Sequence, residues 1–104
     1  MHAPVANPNV NYFKPPPKYL DKPERELWTE LVRTYEFNDA GSYELLLAAM
    51  ESRMRSRRCR EAIDRDGEVI PDFRGTLKAH PALNAEKAAR SAYVSLMRML
   101  RLKV

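Results

Sequence analysis

A chain of 104 residues, 44% hydrophobic and 31% charged, has the makeup of a single globular domain, too apolar for full disorder and too short to bury more than a thin core alone. Its formal charge of +4 and isoelectric point near 9.4 favour an acidic partner such as nucleic acid. The lone cysteine, Cys59, excludes an intramolecular disulfide, and with no secretory-type leader or bilayer-length apolar run a reducing cytoplasm and no membrane partner are expected.

The first nineteen residues, MHAPVANPNVNYFKPPPKY, hold five of the eight prolines and no acid, and they follow neither a helical nor an alternating period. They are expected to form a flexible, Pro-rich basic arm (1–19) ahead of a helical domain (20–104). Pro15 to Pro17 favour polyproline II and would hold Lys14 and Lys18 out to a partner.

At LDKPERELWTELVRTYEF the composition changes. Asp21 is placed to cap a helix, Pro23 fits its first turn and Glu24 stands three residues after the cap. Leu27, Trp28, Leu31, Val32 and Tyr35 recur at spacings of three and four, so Trp28 is expected in the core rather than as a platform for a nucleobase. Glu24, Glu26 and Glu30 are read as a solvated face.

A second helix is predicted from a cap at Asn38 or Asp39 to Gly67. At about 26 residues it would span roughly 39 Å and overhang a core of this size. Tyr43, Leu46, Leu47, Met50 and Met54 form one apolar side. Past Met54 that side turns basic in SRMRSRRCREA, where Arg53, Arg55, Arg57, Arg58 and Arg60 fall within eight positions. On the opposite side Leu45, Ala48, Ser52, Ser56, Cys59 and Ile63 form a stripe of mostly small residues, expected to be a subunit interface. Cys59 is expected to pack rather than react.

Two short extended pieces, Glu68 to Ile70 and Thr76 to Lys78, flank a turn from Pro71 to Gly75 and suggest a small β-hairpin or an extended loop. A third helix starts at Pro81, with Ala82, Ala85, Ala89, Ala92, Tyr93, Leu96 and Leu100 facing inward and Lys87, Arg90 and Arg98 outside. From Lys87 to the end there are five basic residues and no acid. The fold class is therefore mainly α: three helices, the second long, without internal repeats.

No site for a metal, a cofactor or catalysis is expected. His2 and His80 are far apart, the three glycines Gly41, Gly67 and Gly75 are scattered at element boundaries, and nothing in the sequence supplies a third residue to orient a Cys59–His80 pair.

The succession PPPKYL, ELWTELV, a long alanine- and arginine-bearing helix, DGEVIPDFRGTLKAHPAL and an alanine-rich closing helix resembles one class of bacteriophage terminase small subunits. The best-matching segment is GTLKAHPAL, Gly75 to Leu83, followed by AEKAARSAYVSLMRML, and the resemblance covers Pro15 to Leu102. It implies a non-enzymatic DNA-packaging component in the cytoplasm of the host cell, one that recognises double-stranded phage DNA. It would present that DNA to a terminase large subunit carrying the ATPase and nuclease, and it would assemble with itself into a ring.

On that footing Arg53, Arg57, Arg58 and Arg60 are expected to bind phosphates, with Lys14 and Lys18 assisting, and the small-residue stripe to form the ring seam. Lys78, His80 and Pro81 match the family motif and would set the turn into the last helix or contact a partner. Members of the class commonly continue past that helix into a glycine-, proline- and arginine-bearing tail, whereas this sequence stops at MLRLKV, so no role of such a tail is carried over. Two other classes fit the residues: a dimeric helical transcription regulator turning at EFNDAGS, and an adaptor that binds an acidic protein without DNA.

Overall fold

The computed structural model describes residues 14–35, 37 and 39–101. It is mainly helical: α1 (Lys22–Thr34), α2 (Ala40–Asp66), a two-stranded antiparallel sheet of β1 (Val69–Pro71) and β2 (Leu77–Ala79), and α3 (Ala82–Met99).

Local chemistry sets these limits. Asp39 caps α2 through its carboxylate, which accepts from the Ser42 N–H at 2.7 Å, and Gly67 ends the helix at φ 88°, a left-handed conformation that costs other residues energy. The hairpin turns on Asp72, whose Oδ1 accepts from the N–H groups of Arg74 and Thr76, while Gly75 takes φ 81°. Val69 pairs with Ala79, Ile70 with Lys78 and Pro71 with Leu77. α1 differs from expectation at its start: Asp21 occupies the cap position, yet its side chain makes no capping bond because it is drawn to arginines of α2.

α1, about 20 Å long, runs back along the first half of the roughly 40 Å α2. α3 lies antiparallel to α2, so its C-terminal end returns to the same core. Leu20, Trp28, Leu31, Val32, Phe37, Tyr43, Leu46, Ala49, Met50, Met97 and Leu100 form that core. Trp28 and Tyr43 stack with ring centroids 5.9 Å apart, and Phe37 and Tyr43 at 5.5 Å. Beyond Arg58 α1 has ended, and the far half of α2 is accompanied by the hairpin and the start of α3.

Within the arm predicted from sequence, residues 14–19 are fastened to the helices. Trp28 Nε1 donates to the Lys14 carbonyl at 2.9 Å, the Lys14 ammonium lies 5.1 Å from the centre of the Tyr43 ring, and Tyr19 Oη donates to Glu51 at 2.6 Å. Residues 1–13 lie outside the described residues.

The inward face of α3 departs from expectation. Ala89 and Leu100 are buried and Tyr93 and Leu96 pack on the core, but Ala85 and Ala92 are exposed, while Glu86 and Met97 are buried. The helix is rotated toward Glu86 because that carboxylate meets Arg60 and Ser56 of α2. The flank away from Glu86, with Ala85, Ala88, Ala92, Ser95 and Met99, is left exposed.

Candidate nucleic-acid interface

The arginine run of α2 lies where α1 begins, and the two are joined by carboxylates. Glu24, expected on a solvated face, has no exposed surface; it accepts from Arg53 at 2.7 Å and from Arg57 at 2.6 Å. Arg57 also reaches Asp21 at 2.7 Å and Glu61 at 3.0 Å, and Arg58 grips both oxygens of Asp21 at 2.7 and 2.8 Å. Arg60 turns the other way and meets Glu86 of α3 at 3.3 Å. A carboxylate with no access to water is tolerated only when paired and hydrogen-bonded, and Glu24 meets both conditions through two guanidinium groups.

These contacts set the electrostatics of the run. Hydrogen bonds from Arg58 and then Arg57 hold the Asp21 carboxyl at about 2, below its ordinary 3.8. Arg57 is held in its charged form first by Glu24 and then by Asp21. Arg53, Arg57, Arg58 and Arg60, the residues expected to bind phosphates, all have intrachain carboxylate partners. Arg55 alone of the five points outward without an ion-pair partner among the described residues.

Other cations keep their charge available. Lys18, Arg33, Lys78, Lys87, Arg98 and Arg101 are exposed, and no carboxylate of the described residues lies within ion-pair distance of them. Lys14 is exposed as well, its ammonium engaged by the Tyr43 ring.

The small-residue stripe of α2 is partly covered by the chain itself. Ile63 is buried, Ser56 Oγ donates to Glu86 at 3.4 Å, and Leu45 packs against the chain's own core. Ala48, Ser52 and Cys59 are half-buried.

Sequence reasoning missed the apolar face of the hairpin. Residues 69 and 71 point to one side of a strand, as do their partners 79 and 77, so Val69, Pro71, Leu77 and Ala79 share a face and all four are exposed. Leu77 is 68% exposed and Phe73, at the tip, 91%. The alternation Val-x-Pro and Leu-x-Ala was the available signal.

His80 links the two sides of the hairpin base. Its Nδ1 accepts from the Ala82 N–H at 3.0 Å, so Nε2 carries the proton and donates to Asp66 Oδ2 at 3.0 Å. Both ring nitrogens are therefore engaged, leaving none to activate Cys59. Hydrogen bonds from Arg65 and then His80 hold the Asp66 carboxyl at about 2. Among the described residues no group of three or more His, Cys, Asp or Glu side chains is placed to hold a metal, and no helix is long and apolar enough to cross a membrane.

A search of family models, of curated proteins and of solved structures finds no match to this chain.

Proposed function

We propose that the chain is a DNA-packaging subunit of the terminase small-subunit type: a non-enzymatic protein that associates with copies of itself, binds duplex phage DNA in the host cytoplasm and presents it to a large motor subunit. The observation that carries the proposal is the hairpin. Its apolar face, with Phe73 at the tip, is a surface that a monomer leaves wet and that a neighbouring copy would cover. The segments that carry the resemblance fall on one short helix, one long helix, the hairpin and the closing helix in that order. The positive charge and the unpaired cations support a polyanionic partner.

A dimeric regulator that inserts α2 into a groove of DNA is less well supported, because Ser42, Tyr43 and Leu46 at the start of α2 are buried. Native mass spectrometry with and without duplex DNA tests the proposal. A closed assembly of several copies that takes up duplex is expected. A dimer would favour a regulator, and an assembly indifferent to duplex would favour an adaptor.

A further inference from the structure

We propose that the outer face of α3, and not the arginine run of α2, is the surface that meets the phosphate backbone of duplex nucleic acid. The proposal rests on the DNA-binding role above and locates it on the molecule. At about 100° per residue, Lys87, Arg90, Ser91, Val94 and Arg98 fall within roughly 100° of arc, and the stripe runs for about 16 Å along the helix. Arg101 follows directly after the helix end. Lys87, Arg90, Arg98 and Arg101 are all exposed.

Three features favour a phosphate backbone there. First, the only acid of α3 is Glu86, which is buried at the edge of the stripe and occupied by Arg60 at 3.3 Å and Arg90 at 3.6 Å, and among the described residues Lys87, Arg98 and Arg101 have no carboxylate within ion-pair distance. Second, the stripe contains no large apolar residue. A protein partner is normally anchored by buried aromatic or aliphatic side chains, whereas phosphate contacts need cations and small polar residues alone. Third, the spacing is fixed by a helix whose adjoining face is packed into the core through Ala89, Tyr93, Met97 and Leu100. The charges are thus presented by a rigid support. In α2, by contrast, an approaching phosphate would have to compete with Asp21 and Glu24 for the same guanidinium groups.

The test is fluorescence anisotropy with a labelled duplex of arbitrary sequence, titrated between about 50 mM and about 200 mM salt. Each phosphate contact contributes about 0.9 to the slope of log affinity against log salt, so three contacts make affinity fall roughly 40-fold across that range. The full-length variant Lys87→Gln/Arg98→Gln/Arg101→Gln is expected to lose about 2.7 from the slope per subunit engaged, with an unchanged circular dichroism spectrum. Arg58→Gln is expected to leave the slope unaltered. The location on α3 is overturned if the triple variant keeps the wild-type slope, or if Arg58→Gln reduces it as much; DNA binding itself then stands. If the wild-type chain fails to bind duplex at low salt, the DNA-binding role fails as well. Capture of polyglutamate through the same three residues, without duplex binding, would point to an acidic protein instead.

Discussion

The arginine run of α2 and the outer face of α3 are both rich in cations, yet they differ in what the fold brings to them. On α2 three of the five arginines within eight positions, Arg53, Arg57 and Arg58, meet the N-terminal turn of α1, where Asp21 and Glu24 arrive together; Arg60 meets Glu86, and the charge is largely neutralised inside the molecule. On α3 fewer cations face outward with one buried acid at their margin. Density of positive charge along a sequence is thus a poor guide to positive charge at the surface. Arginine is suited to both fates, since its planar fork pairs with carboxylates as readily as with phosphates.

Removing the α1 carboxylate that accepts from the arginines of α2 should give the largest effect. Glu24→Ala strands Arg53 and leaves Arg57 only Asp21 and Glu61, and urea denaturation is expected to show a loss of about 3 kcal/mol. A loss below about 1 kcal/mol would mean that the pairs are incidental and the run is free to bind elsewhere. The rotation of α3 toward Glu86, which buries Met97 and leaves Met99 outside, predicts a contrast of similar size. Met97, 2% exposed, should cost about 3 kcal/mol when replaced by alanine, whereas Met99, 51% exposed, should change stability by less than about 0.5 kcal/mol. Equal effects at the two methionines would mean that α3 is not rotated toward Glu86 as described.

Smaller effects sharpen the comparison. Arg98→Glu should leave stability within about 0.5 kcal/mol of wild type, because its exposed side chain has no ion-pair partner among the described residues. Phe73→Ser should likewise leave the fold intact while lowering the number of copies seen by native mass spectrometry.

The smallest expected effect is on the acid side of the stability profile. Asp21 is held at about 2 against an ordinary 3.8, so its bridge to Arg57 and Arg58 contributes stability that is fully present above 3.8 and is lost as pH falls through about 2. Unfolding midpoints recorded from about pH 5 down to about pH 2 should therefore fall less steeply for Asp21→Asn than for wild type. Asp66 is depressed in the same sense and contributes to the slope that remains.

What could be read from the sequence was what depends on neighbours in the chain. Asp39 and Gly67 bound α2 as expected because capping and left-handed termination act within a turn, and Asp72 with Gly75 makes the hairpin for the same reason. Trp28 takes its place in the core because its stripe is unambiguous. Glu24 was not readable: its burial depends on two arginines about thirty positions away that only the α1–α2 approach brings near. α3 was misjudged by rotation, since alanine suits both buried and exposed positions and so does not mark a face. Glu86, four residues after Ala82 and three before Ala89, sat in the buried register and was passed over because it is charged.

α2 has a consequence for how the molecule opens. Between Met50 and Ile63 it contains no fully buried residue, and the principal core lies entirely to one side of that stretch. The far end is held chiefly by Ile63, the Glu86 contacts and the His80 bridge between Asp66 and Ala82. Amide hydrogens of α1 and of the first three turns of α2 should exchange only when the whole chain unfolds. Those of the hairpin and the last turns of α2 should exchange through a separate, cheaper opening. A neighbour that clasped the hairpin would slow that second class alone, so exchange protection can report assembly one residue at a time.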